Sequence, residues 1–392
     1  MKNTHLEHLE DDILNNGTQG GRDAIAFLRS LGKMLSDGDS GMRITTKWDG
    51  APAVICGTDP ENGKFFVGTK SVFNKLNPKV CYSEADVDSL YSVGGLNEKL
   101  KTSYRYLSRL GIRGVVQGDL LFTNDKYLGV INGKEVYHFT PNTITYAVPK
   151  NSDLGKRVTE AKMGIVFHTT YNGSSLGTMV ASFGAKVPGN SDVFVASAEF
   201  SNASGAANFT KQEKNTYNLL VNSAEGSLKQ ASKFLNVLNT QDKFSMNAIF
   251  KQFFNSYIRS GAKFGTVNET IANFAAYFSQ LVDKEIASKK TKATQDKYNK
   301  IKLDGLKFIQ TNRSSIYYTI ASYFNLLKAK DFVIKKLSSV NTFGTFLKTE
   351  DGYRVTAPEG FVAIKSGRAL KLVDRLEFSR ANFTAAKNWD KG

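Results

Sequence analysis

Only two cysteines, Cys56 and Cys81, occur in 392 residues. That is too few for a disulfide framework or a thiolate zinc site, and it suits a reducing compartment. Histidine is scarce as well. His5, His8, His138 and His168 are the full set, and none beyond the N-terminal pair approaches a metal-ligand spacing. Long apolar runs are missing: no stretch nears the roughly 20 residues a spanning helix needs. The opening MKNTHLEHLEDD also lacks the apolar core of a signal peptide. These absences argue against a disulfide-stapled secreted protein and a helical membrane protein, and give the expectation of a cytoplasmic one.

What the chain has instead is positive charge. A formal net charge of +16 and a pI near 9.5 call for a polyanionic partner, nucleic acid or an acidic membrane surface. With no membrane segment in the sequence, nucleic acid is the favoured partner. Hydrophobic content of 41% and charged content of 22% are those of a folded chain. Its length calls for two domains, or for a body with a large insertion.

Residues 1–40 carry four Lys/Arg against seven Asp/Glu and read as two short amphipathic helices about a glycine turn, a helical prefix packed on the body. From Arg43 to about Val187 short β-type runs (ITTKW, PAVIC, KFFVGTKSVF, GVVQGDLLF, EVYHFT, TITYAV, MGIVFHTTY) alternate with turn clusters, and NEKLKTSYRYLSRL forms a helix among them. Residues 201–350 switch to helical periodicity. There Met246, Phe250, Phe253 and Tyr257 share a face, as do Ile271, Phe274, Phe278 and Leu281, and Ile316, Ile320, Phe324 and Leu327. Such stripes are the signature of a helical core. This segment holds 22 Lys/Arg and 10 Asp/Glu, a net +12. After it APEGFVAIKSGRALKLVDR returns to β patterning. The fold class expected is therefore α+β: a body of mixed and antiparallel sheets from residues 41–200 and 351–392, with a basic helical insertion at 201–350.

The chemistry concentrates at RITTKWDGAPAVICG. Lys47 and Asp49 lie two apart, so an extended strand presents both on one face and Trp48 on the other. A lysine amine attacks phosphorus only when deprotonated, which requires partial burial, neighbouring cations or a metal, and a phosphate held in line.

KWDG resembles the Lys-x-Asp-Gly motif of the covalent nucleotidyltransferases, the superfamily of ATP-dependent DNA ligases, RNA ligases and mRNA capping enzymes. Companion stretches follow in the order of that family. GTKSVFNK resembles the segment whose cation reaches a phosphate, giving Lys70, with Lys75 beside it. GVVQGDLLFT resembles the strand with an acidic residue after glycine, giving Asp119. MGIVFHTTY resembles the strand whose aromatic stacks on the base, giving Phe167, with Phe139 of YHFT as its rival; His168 stands where the family has an acid. PEGFVAIK and ALKLVDR resemble the closing strands, giving Glu359, Lys365 and Lys371. The sequence also resembles proteins of large tailed bacteriophages over THLEHLED, KWDGAPAV and FFVGTKSVFNK, which implies a viral source and the host cytoplasm.

The resemblance implies a nucleotidyltransferase body of ATP-grasp-like ligase type and an ATP-dependent polynucleotide ligase, with RNA favoured over DNA. Lys47 would be the nucleophile, and Asp49 would orient it or a metal-bound water. Trp48, Lys70, Asp119 and Phe167 would hold ATP, Glu359 and Asp119 would hold Mg2+, and Lys365 and Lys371 would neutralise phosphates. Fewer than about twenty residues follow LVDR, against the roughly hundred of the OB domain of cellular ligases and capping enzymes, so a monomeric phage-type ligase is expected. Its basic helices would act as the clamp, through Lys289, Lys290, Lys292 and Lys297, and Lys70 and Lys75 would also contact nucleic acid. Two other readings remain open: a nucleotidyltransferase fold that binds nucleic acid or builds the virion without turnover, and an adenylyltransferase acting on something other than nucleic acid.

Overall fold

The computed structural model describes residues 8–37, 42–131, 133–199, 207–237, 246–339, 344–349, 352–355, 360–365 and 368–373. The described elements run α1 (Asp12–Asp37), β1 (Arg43–Lys47), β2 (Ala53–Thr58), β3 (Phe65–Gly68), α2 (Glu84–Leu90), α3 (Gly95–Leu107), β4 (Val115–Phe122), β5 (Lys126–Ile131), β6 (Lys134–Phe139) and β7 (Ile144–Pro149). They continue with α4 (Asp153–Glu160), β8 (Met163–Asn172), β9 (Val180–Phe183), β10 (Val193–Ala196), α5 (Lys211–Val237), α6 (Met246–Ser260), α7 (Val267–Ala287), α8 (Lys292–Thr311) and α9 (Arg313–Ser338). Four strands close the series: β11 (Gly344–Thr349), β12 (Gly352–Val355), β13 (Gly360–Lys365) and β14 (Arg368–Val373). The class is α+β with predominantly antiparallel sheets.

Two units make up the chain. One gathers Met1–Met42, Ser204–Ser339 and Ala363–Phe383; the other gathers Arg43–Ala203, Val340–Val362 and Thr384–Gly392. This differs from the division expected from the sequence in two respects. The N-terminal segment belongs to the helical unit rather than forming a prefix on the β-rich body, and the division near the C-terminus falls inside β13.

In the β-rich unit a six-stranded sheet has the order β10-β8-β4-β2-β3, with β9 paired to β8, and a five-stranded sheet has the order β12-β11-β7-β6-β5. All these pairings are antiparallel except β10 with β8. Alternation along the strands of the larger sheet sorts residues to its two faces. Val54, Cys56, Val116, Leu120, Ile165 and Phe167 bury one face against Val87, Leu100 and Leu107 of α2 and α3. Ile55, Phe66 and Val115 on the other face pack with Val72, Leu176 and Met179. Burial drives both cysteine thiols well up from their ordinary range, that of Cys81 to about 11.

In the helical unit α1 and α5 run antiparallel at close quarters. Glycine inside a helix costs about 1 kcal/mol relative to alanine, yet α1 contains several. The packing accounts for two of them: a Cβ on Gly21 would lie 2.6 Å from Leu228 Cδ1, and one on Gly32 would lie 2.6 Å from Tyr217 Cε1. The expected break between two short helices is a kink within α1 at Asn16 and Gly17, where Gly17 has φ +58°. Of the aromatic stripes, Phe250, Phe253, Ile271, Phe274 and Phe278 are buried, and the rings of Phe250 and Phe274 stack at 4.0 Å. On α9 the buried stripe runs through Ile316, Ile320, Tyr323, Leu326, Val333 and Leu337, while Phe324 and Leu327 are only half-buried. Lys330 lies within this stripe, fully buried, and donates to Glu10 Oε1 at 2.7 Å.

Candidate active site

The KWDG turn is held between the two sheets of the β-rich unit. Lys47, half-buried, is the last residue of β1. Trp48 Nε1 donates to the Ser197 carbonyl at 3.2 Å, and its ring lies 4.9 Å from that of Tyr146 on β7. The backbone N–H of Asp49 donates to the Tyr146 hydroxyl at 2.7 Å. Its buried carboxylate accepts from Asn142 Nδ2 at 2.8 Å and from the N–H groups of Thr143 at 2.7 Å and Ile144 at 2.9 Å. A carboxylate with this many donors is an anchor for the β6–β7 turn. It has a structural task where the sequence reading gave it the orientation of Lys47 or a metal-bound water.

Gly50 makes the second attachment. A Cβ there would sit 2.7 Å from Asp119 Cβ and 2.9 Å from the Leu120 carbonyl oxygen. The next residue, Ala51, donates its N–H to that same carbonyl at 2.9 Å. Only glycine lets the turn lie directly on β4. Three residues of extended chain span at most about 11 Å, so the Lys47 backbone lies no farther than that from Gly50.

Asp119 emerges on the sheet face away from α2 and α3, together with Gln117 two residues earlier. Opposite them β8 carries a bulge: Phe167 pairs with Gly118 and Thr169 with Gln117, so His168 is the extra residue. The bulge re-aims the imidazole. His168 Nε2 lies 3.3 Å from Asp119 Oδ2, and Nδ1 is 2.8 Å from Thr169 Oγ1. Tyr171 donates its hydroxyl to Gln117 Oε1 at 2.7 Å, and its ring lies 4.5 Å from that of Phe73. Burial first, and the Asp119 charge second, push the Tyr171 phenol above its ordinary range.

This arrangement corrects the aromatic assignments. Phe167 is 2% exposed in the core on the helix-covered face, its ring against the space left by Gly118, so it has no face to offer a base. Phe139 is equally buried, 4.8 Å from Phe122. Trp48 is a packing residue pinned by Tyr146 and Ser197 rather than a ligand platform. Beside Gln117 and Asp119 stand the rings of Tyr171 and Phe73, which the sequence reading passed over together with Gln117 and the pairing role of His168. A signal for them existed: Gln117 and Asp119 are two polar residues at strand spacing inside an otherwise apolar run.

Lys70 opens a single 3-10 turn, Lys70–Phe73, whose preceding Thr69 Oγ1 accepts from the Ser71 N–H. Tyr91 fixes this turn, its hydroxyl 3.0 Å from Ser71 Oγ. Lys70 and Lys75 are exposed, and Lys75 borders a cavity of about 430 Å³ with Asp59, Tyr82 and Leu176. Glu359 lies outside the described residues. Lys365 ends β13 and Lys371 lies in β14, both within the helical unit, where the Lys371 backbone bridges that of His8. Among the described residues no three His, Cys, Asp or Glu side chains gather as a metal site. The expected Mg2+ pair of Glu359 and Asp119 therefore has only Asp119 in view. Of the four lysines expected to clamp nucleic acid, Lys290, Lys292 and Lys297 are exposed, whereas Lys289 pairs with Glu285 at 2.6 Å and lies over the Tyr298 ring.

No described helix is long and apolar enough to cross a membrane. Residues 3–387 match DUF6267, a family of unknown function. No curated protein and no solved structure matches the chain.

Proposed function

We propose that this chain, which belongs to the DUF6267 family, is an ATP-dependent polynucleotide ligase that works through a lysyl-adenylate at Lys47. The observation that carries this reading is the seating of Gly50 on Asp119, which sets a lysine-bearing turn against a strand carrying a carboxylate, an amide and, across the ladder, an imidazole. In the first step Lys47 Nζ, as the free amine, attacks the α-phosphorus of ATP; the bond to the β-phosphate oxygen breaks and pyrophosphate leaves. The adenylyl group then passes to a 5′-phosphate, and a 3′-hydroxyl displaces AMP. Mg2+, when bound, would offset charge on the phosphoryl oxygens.

Within the chain's own residues, Asp119 is the group to engage the ribose or the metal, and His168 and Gln117 fix its surroundings. Asp49 and Trp48 keep the turn rigid, which is what in-line attack demands. RNA is the favoured polynucleotide.

The test is incubation with α-labelled ATP and Mg2+ followed by a denaturing gel. A labelled band that is absent from Lys47→Ala, with an unchanged circular dichroism spectrum, is the expected result. If the wild-type protein stays unlabelled yet binds oligonucleotides, the reading gives way to that of a nucleic-acid-binding protein without turnover.

A further inference from the structure

The helical unit contains a cavity of about 290 Å³ between α1 and α5, bordered by Arg22 and Arg29 from one helix and by Glu225, Leu228 and Lys229 from the other. Its walls are set by the close approach at Gly21 and Leu228, which leaves the longer side chains on either side to overhang the seam. Three cations and one carboxylate therefore face a single groove.

Their pairing is uneven. Arg29 is occupied, donating to Glu225 Oε2 at 2.8 Å and to Asn222 Oδ1 at 3.0 Å. Arg22 and Lys229 have no hydrogen bond or ion pair with any side chain among the described residues. Both are exposed, so their charge is fully hydrated and available. The Arg29–Glu225 pair neutralises itself, and the groove retains two uncompensated cations on facing helices.

Volume decides what can enter. Small-molecule sites occupy about 300–1,000 Å³, so this groove is too small to enclose a whole nucleotide but admits a phosphate with part of its sugar. The positive balance of residues 201–350, a net +12, makes a polyanion the matching class of partner.

We infer that the α1–α5 groove is a phosphodiester-binding site for a nucleic-acid backbone, contacted through Arg22 and Lys229. This inference rests on nucleic acid being the partner, as in the proposed function, but not on adenylation at Lys47. It also moves the expected contact from the α7–α8 lysines to a groove that includes the N-terminal helix, whose own segment is acidic overall.

The experiment measures anisotropy of a fluorescein-labelled single-stranded RNA of mixed sequence with the full chain over a series of salt concentrations. Each phosphate contact on a single strand contributes about 0.7 to the slope of log K against log salt. The double variant R22A/K229A removes that one phosphate contact, so it should lower the slope by about 0.7 and weaken binding at low salt. The matched variant K211A/K263A removes the same charge from exposed positions outside the groove and should leave the slope unchanged. Since all four side chains are exposed, thermal melting of both variants should match the wild type.

An unchanged slope in R22A/K229A overturns the groove while leaving nucleic acid as partner. Equal losses in both variants also overturn it, because they report only the general field of a basic unit. If the wild-type chain fails to bind the oligonucleotide, the partner reading itself fails and the groove falls with it.

Discussion

Across the β4–β8 ladder, His168 Nε2 stands 3.3 Å from Asp119 Oδ2, and it gets there because His168 is the residue skipped between Phe167 and Thr169 in the pairing with β4. A bulge spends one residue of strand to turn one side chain. Here the side chain that turns meets the carboxylate on which Gly50 is seated.

Asp119→Asn should therefore slow self-adenylation by about 10²-fold, the scale of losing one charge-stabilising group. His168→Ala, which removes the group that orients Asp119, should slow it by about tenfold. His168→Gln, with a donor at a similar reach, should recover most of that loss. The rate of label incorporation at saturating ATP measures all three, and equal rates for Asp119→Asn and wild type would remove Asp119 from the site.

Gly50→Ala tests the seating of the turn. The added methyl has to displace Asp119 Cβ or the Leu120 carbonyl, both under 3 Å away. Overpacking of this kind costs about 1–3 kcal/mol. Urea unfolding should show that loss, and labelling at Lys47 should fall even under conditions where the variant is fully folded.

Asp49→Ala should act on stability first. It takes the carboxylate acceptor from the buried N–H of Ile144 and from the half-buried N–H of Thr143. Each unsatisfied buried donor costs about 1–3 kcal/mol, so a loss of about 3 kcal/mol by denaturant titration is expected. A variant that melts like the wild type but fails to label would instead give Asp49 a direct part in the chemistry.

The Glu10–Lys330 pair gives a prediction for the helical unit. Both side chains are fully buried, and they meet at 2.7 Å. Lys330→Met alone strands Glu10 in the core and should cost about 3–5 kcal/mol, whereas pairing it with Glu10→Leu should restore much of that. A double-mutant cycle by urea unfolding measures the coupling, and additive losses would refute it.

The strands were legible where burial imposed a pattern. PAVIC, GVVQGDLLF and MGIVFHTTY correspond to β2, β4 and β8, the buried strands of the larger sheet. KFFVGTKSVF reads as one run, yet it is cut at Thr69, whose side chain caps a 3-10 turn; a threonine cap and a threonine in a strand look alike in sequence. Strand β5 was not legible because it is the outer strand of its sheet and leaves Tyr127, Leu128 and Val130 exposed on successive faces, so no alternation marks it.

At the candidate site, the KWDG turn and Asp119 could be found from spacing and resemblance. The bulge could not, since nothing in HTTY tells a regular strand from one with an extra residue. Nor could the burial of Phe167. Its ring fills the space above Gly118, and a glycine one position before an aspartate reads equally well as a turn or as room for a partner's ring. The domain division was misread near the N-terminus because an amphipathic helix announces that it packs, not against what.

The Glu10–Lys330 contact joins residues 320 positions apart in the chain. During synthesis, at about 5–20 residues per second, the first helix emerges well before the helix that carries Lys330. For that interval Glu10 is an acid without its lysine, and α1 can neither complete its core nor desolvate its carboxylate. The larger sheet, built from β2, β3, β4, β8, β9 and β10, needs nothing from beyond Ala196, so it can form while the helical unit still waits. Helix α1 is thus made long before α9, yet it settles only once that later helix has arrived.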